Sequence, residues 1–194
     1  MMFALPPGTS AKLVNVNIRA ELHGTETVPQ ADMRFEVALT NAFLDALDPA
    51  LRTCLYRPAP PPHPAAMLPE LPGIAPVSDT PALRFPELGM PLKWEEEGAG
   101  YALTVTPMVH GTAPPLMLRE VTVGAIRLDC LDGGTVGVDF RVQTTHAPDV
   151  ETIAELARYV QRTVTIELTP PEPASNAEID TFAEADEAAA SAPV

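Results

Sequence analysis

The chain has 194 residues, 46% of them apolar, which suits one domain of ordinary size or two small lobes sharing a core. Its formal net charge of −14 repels nucleic acid at long range unless a local basic patch overrides the field. No run approaches the ~18 apolar residues of a membrane-spanning helix, and "MMFALPPGTSAK" lacks the positive stretch of a signal peptide.

From the N-terminus, Val14, Val16, Ile18, Ala20 and Leu22 alternate with Asn15, Asn17, Arg19 and Glu21, the period-two pattern of a strand with one buried face. After the polar "HGTETVPQA", Met33, Phe35, Val37 and Leu39 alternate with Arg34, Glu36 and Ala38, so the two runs read as a long-looped hairpin. Thr40 then stands as N-cap to a short helix, "NAFLDAL", ending before Asp48-Pro49. "ALRTCLYR" fits a helical turn or a third strand equally. The prolines of "PAPPPHPAA", residues 58–66, favour extended polyproline II and read as a spacer or exposed loop, with a recognition ligand as the alternative. "LRFPELGMPLKW" and "YALTVTP" flank "EEEGAG", which predicts another hairpin with a charged turn.

The second half repeats the plan. Ile126, Leu128 and Cys130 alternate with Arg127 and Asp129, "DGG" at Asp132–Gly134 signals a turn, and Val136, Val138, Phe140 and Val142 form the return strand. A helix opens near Pro148-Asp149 with Ile153, Leu156, Ala157 and Val160 on one face, and "TVTIELTP" follows as a strand with Val164, Ile166 and Leu168 inward. Ile18-Arg19 aligns with Ile126-Arg127, and Phe35 and Val37 with Phe140 and Val142. That leaves open a β-hairpin–helix pseudo-repeat whose hairpins pair about a twofold axis.

The fold class expected is α+β, mainly antiparallel hairpins with two short helices. Its segments are a first hairpin and helix unit over 1–57, a proline-rich connection with its own hairpin over 58–115, a second unit over 116–169, and an acidic tail over 170–194. The tail carries six carboxylates and no base, so −6 of the net −14 falls there and −8 on the rest. Its composition predicts disorder. It is similar to the acidic C-terminal tails of bacterial single-strand-binding proteins, but its end, "SAPV", lacks the acidic-aromatic-Pro-Phe tip that partners dock on.

Catalytic signals are missing. His23, His63, His110 and His146 form no HxH, HxxxH or HExxH, so no metal site is expected, and a metal or small-ligand site built from loops around His23 or His146 stands as a third, weaker alternative. No GxSxG is present, and "GAG" at Gly98–Gly100 lacks the setting of a phosphate loop. Cys54 and Cys130 lack a CxxC and lie among apolar neighbours, which predicts two buried free thiols and a reducing cytoplasm. The expectation is a non-enzyme with no catalytic residue and no cofactor. One pattern invites a ligand: Arg19, Arg34, Arg127 and Arg141 fall on the polar faces of the two hairpins and would form a basic stripe if those hairpins shared a sheet. Glu21, Glu36, Asp129 and Asp139 share those faces, and cross-strand pairing explains the same pattern without a ligand.

Three stretches together, "NVNIRAELHGTETVPQADMRF", "PVSDTPALRFPELGMPLKWEEEGAGY" and "GGTVGVDFRVQTT", resemble an uncharacterised group of phage and prophage proteins encoded among early replication or recombination genes. The resemblance covers residues 12–168 and transfers no active-site residue. It implies a protein of viral origin in a bacterial cytoplasm, serving DNA metabolism or evasion of host defence. Two functions follow as expectations. The first is an accessory protein that binds another protein, in recombination or replication or as an inhibitor of a host nucleic-acid-binding defence system. The alternative is direct single-stranded DNA binding through the arginine face, with the tail as competitor or docking segment. Exposed sheet edges would also permit a homodimer.

Overall fold

The computed structural model describes residues 3–23, 25–59, 78–108, 114–146 and 148–171. Among these residues there are nine strands: β1 Leu5–His23, β2 Glu26–Thr40, β3 Tyr56–Arg57, β4 Ala82–Leu83, β5 Leu92–Trp94, β6 Gly98–Pro107, β7 Leu116–Leu131, β8 Thr135–Thr144 and β9 Arg162–Thr169. A 3₁₀ turn at Asn41–Phe43 runs into α1, Leu44–Leu47, and α2 (Leu51–Leu55) and α3 (Val150–Arg158) complete the helices. Alternation creates the strands, as β8 shows: Val136, Val138, Phe140 and Val142 are buried, and the residues between them face outward.

The strands pair antiparallel in the order β7-β6-β9-β1-β2-β8, and β8 returns to β7, closing a six-stranded barrel. Closure leaves its members no free edge along their paired lengths. The interior is filled by side chains. Phe140 stacks on Phe35 with centroids 5.6 Å apart, and Phe3 meets Phe140 edge-on at 5.0 Å and Phe43 at 5.3 Å. Residues from 3–57, 83–105 and 116–168 all contribute to one core.

The expected predominance of antiparallel strands is present, but the strands close into a barrel, and the short helices among the described residues do not supply the helical part of an α+β fold. β2 and β8 do pair, with Phe35 facing Phe140 and Val37 facing Val138. Beyond that pair the expected units diverge. Leu13 faces Phe35 on β1, whereas the place opposite Phe140 on β7 falls inside a bulge between Gly124 and Arg127. The helical segments also differ, one four-residue α-helix after β2 against nine residues in α3.

The predicted central hairpin is absent. β5 and β6 do not pair with each other; both lie along one edge of β7, Trp94 opposite Ile126 and Gly98 opposite Val123. "EEEGAG" therefore carries the chain onward along that edge instead of reversing it. β7 is longer than its alternation suggests because two bulges shift its inward phase. Leu118 is buried, then Val121 and Val123, then Ile126, Leu128 and Cys130. Each shift has a residue in the left-handed region, Glu120 at φ 56° and Ala125 at φ 50°.

β1 likewise begins well before Val14. It absorbs Pro6 and Pro7 in an irregularity between Leu5, opposite Leu168, and Thr9, opposite Ile166. Its contacts with β9 stop at Leu13, and those of β2 with β8 begin at Asp32. The hairpin beyond these points projects as a two-stranded arm, which leaves Ile18 44% exposed although its alternation marks an inner face. The base of the arm is tied to β8: Ala31 N donates to Thr144 Oγ1 at 2.9 Å.

Polar ties close the ends. Asp149 caps α3, accepting from Thr152 N at 2.6 Å, and Leu156 anchors the helix in the core. Thr40 occupies the N-cap position before the 3₁₀ turn but makes no side-chain cap. "ALRTCLYR" resolves into both expected alternatives, α2 followed by β3. Buried Asn41 accepts from Ser78 Oγ at 2.6 Å and donates to Thr80 O at 2.8 Å, pinning the segment before β4 to the Asp132–Gly134 turn. Tyr56 shares its hydroxyl proton between Leu131 O and Thr135 O, 3.0 Å from each. Cys130 is buried as expected, but Cys54 is exposed, since its place on the short α2 turns it outward. Residues 60–66 of the proline-rich stretch and 172–194 of the tail lie outside the described residues.

Candidate binding groove

The outward faces of β2, β8, β7 and β5 carry one charged field. On β2, Asp32, Arg34 and Glu36 alternate with buried Met33 and Phe35; on β8, Asp139 and Arg141 flank buried Phe140; on β7, Arg127 and Asp129 flank buried Leu128. Register then sets the neighbours. Arg34 lies directly opposite Arg141, Asp139 lies between Glu36 and Arg127, and Lys93 lies beside Arg127 on the far strand.

Three shallow clefts follow one another across this field. One, of about 430 Å³, is lined by Glu36, Asp129 and the Arg34–Asp139 pair, with Ala38 and Gly137 contributing little bulk and Pro91 beside them. The second, about 280 Å³, holds Arg34, Arg127 and Arg141 with Asp32, Asp139 and the amides of Asn15 and Asn17. A third, about 290 Å³, runs past Ala125 to Lys93, Trp94 and Glu97. Arg127 lines all three, so they form one groove. The groove exists on a barrel exterior because Ala38, Gly137, Gly124 and Ala125 add little bulk and the β7 bulge bends the surface. At Gly124 a Cβ would sit 2.6 Å from Glu97 Cγ, so a side chain there would displace Glu97 from its path across the glycine to Arg141.

The ion pairs are unequal. Arg34 Nε lies 2.8 Å from each oxygen of Asp139, and Arg19 Nε lies 2.9 Å from Asp32. Arg141 reaches Glu97 only at 3.5 Å, and its own Nε is buried without a hydrogen-bond partner. Arg127 forms no ion pair among the described residues. The reason is competition: Asp139, its neighbour across the strands, has both oxygens committed to Arg34.

Three of the four arginines singled out by sequence, Arg34, Arg127 and Arg141, therefore share one cleft; Arg19 sits further along the arm with Asp32. Lys93, Trp94 and Glu97 were missed, because a charged turn was expected where the chain instead follows the edge of β7. Nothing in local sequence signals that placement. Asn15 and Asn17, polar alternates of β1, were legible as outward positions but carried no functional signal.

Of the histidines, His146 is exposed, His63 and His110 lie outside the described residues, and no group of His, Cys, Asp or Glu among the described residues is placed to hold a metal ion. Burial pushes the Cys130 thiol and the Tyr56 hydroxyl above their ordinary pKa ranges, which suits packing groups. No helix among the described residues is long and apolar enough to cross a membrane. Comparison with protein-family models, curated proteins and solved structures finds no match for this chain.

Proposed function

We propose that the protein is a non-enzymatic accessory protein of phage type that works by binding another protein through the outer face of its barrel. Its setting would be DNA recombination or replication, or inhibition of a host nucleic-acid-binding defence system, in the bacterial cytoplasm. The observation that carries this reading is the interleaving of charge in the groove. Arg34, Arg127, Arg141 and Lys93 alternate with Asp32, Glu36, Asp129, Asp139 and Glu97. A mixed, register-fixed field of this kind selects partners by complementarity and rejects a uniformly negative strand. Aromatic platforms for bases are also wanting, since Trp94 is the one aromatic side chain lining the three clefts and it is half-buried.

The convergence of three arginines in one cleft favours the second reading, direct binding of single-stranded DNA. Capture of partners from bacterial lysate by the full chain, beside an Arg127→Glu/Arg141→Glu variant, tests the first. A protein retained by the natural chain and lost by the variant supports it; identical capture by both counts against the groove.

A further inference from the structure

Arg127 and Arg141 differ from the other arginines of the field. Arg34 and Arg19 have a carboxylate within 2.9 Å, whereas Arg127 has none among the described residues and Arg141 has one at 3.5 Å on a single nitrogen. Both lie on the same outer face of adjacent strands: Arg127 is paired with Asp139, and Arg141 is two residues further along β8. That diagonal separates their backbones by roughly 7–8 Å, which long side chains bridge readily. The two guanidinium forks therefore reach a common ligand, flanked by Asn15 and Asn17.

The groove is also graded. The cleft they share has three arginines against two aspartates, a surplus of one positive charge. The neighbouring cleft has Arg34 and Arg127 against Glu36, Asp129 and Asp139, a surplus of one negative charge. The fixed Arg34–Asp139 bridge belongs to both.

We propose that Arg127 and Arg141 form an anion receptor for the carboxylates of an acidic, extended segment of a protein partner. Glu36 and Asp129 orient that segment by taking a basic residue at its other end. This rests on the protein-binding reading and gives it a ligand chemistry. Guanidinium forks match carboxylates in paired geometry. Asp32 and Asp139 in the same cleft disfavour a continuous phosphate chain, charged at every unit, more than a peptide whose few carboxylates fall at the two guanidinium groups.

The test reads the arginine side chains directly. In the ¹⁵N-labelled full chain, the Nε–H signals of Arg127 and Arg141 should shift on titration with a blocked Glu-Glu-Gly-Gly-Lys peptide and saturate with a Kd of about 1 mM. Arg19 and Arg34, already committed, should stay in place. Arg127→Gln should weaken binding, read at Arg141, by about tenfold, the loss of one fork, with the backbone spectrum otherwise preserved. Equal shifts at Arg52 and Arg158, or no shift up to about 50 mM peptide, overturn the receptor. In that outcome, partner capture that survives the Arg127→Glu/Arg141→Glu change would still leave protein binding through another face. A short oligothymidylate that moves the same two signals at lower concentration than the peptide overturns the assignment to protein and passes the site to nucleic acid.

Discussion

Phe140→Ala probes the closed barrel at its centre. The ring is fully buried, stacked on Phe35 at 5.6 Å and met edge-on by Phe3 at 5.0 Å, so packing among β2, β8 and the segment before β1 depends on it. Deleting a buried phenyl ring forfeits its transfer free energy and leaves a cavity that neighbours fill only in part, about 3–5 kcal/mol together. Because the barrel is closed by hydrogen bonds around its whole circumference, collapse into that cavity is restricted, which argues for the upper part of the range. For a chain of this size the melting temperature should fall by roughly 6–20 °C, at about 2–4 °C per kcal/mol. Urea unfolding gives the free energy, and an unchanged m-value would show that the same surface is still exposed on unfolding. Phe85→Ala is the control: Phe85 is 51% exposed, so its loss should cost no more than about 0.5 kcal/mol. A Phe140→Ala loss below about 1 kcal/mol, or one matching Phe85→Ala, would refute the packed interior.

Asn41→Ala removes the side-chain hydrogen bonds to Ser78 and Thr80 and leaves the part-buried Thr80 carbonyl without that donor, so urea unfolding should show a loss of about 1–3 kcal/mol, and an unchanged midpoint would contradict the pin. Of the two thiols, Cys54 should react promptly with a thiol reagent in the native protein and Cys130 only after denaturation; two fast thiols would place Cys130 wrongly. Hydrogen bonds from Thr152 hold the Asp149 carboxylate below its ordinary pKa. Its contribution to α3 is therefore complete above the ordinary aspartate range and is lost as pH falls through the depressed value. The Thr152 amide signal should report a midpoint below that range, and a midpoint at or above it would dispose of the cap.

The sequence made the strands of both hairpins, α3, β9 and the Asp132–Gly134 turn legible, because each has either clean alternation or a strong local punctuation mark. It misplaced the start of β7, since the bulges at Glu120 and Ala125 shift the inward phase and alternation cannot be followed across them. It missed the first part of β1, where Pro6 and Pro7 argue against a strand unless an irregularity absorbs them. The inner face read at Val16, Ile18 and Ala20 is real as a pattern, but pairing with β9 stops at Leu13, and no periodicity reveals where a neighbouring strand ends. Barrel closure depends on β7 meeting β8 and β6 at once, a long-range fact with no local signature. The arginine field was legible as far as Arg34, Arg127 and Arg141. The parts supplied by β5 and Glu97 were not, because they depend on β5 following β7 end-on to β6.

The choice between a protein and a nucleic acid as ligand is settled most directly by fluorescence anisotropy of labelled single- and double-stranded oligonucleotides, titrated with the full chain at low and physiological salt. With interleaved carboxylates in the groove and a net charge of −14, the predicted result is no binding of either oligonucleotide, even at low salt. Salt-sensitive binding of the single strand, abolished by Arg127→Gln/Arg141→Gln, would contradict the account and make the groove a DNA site.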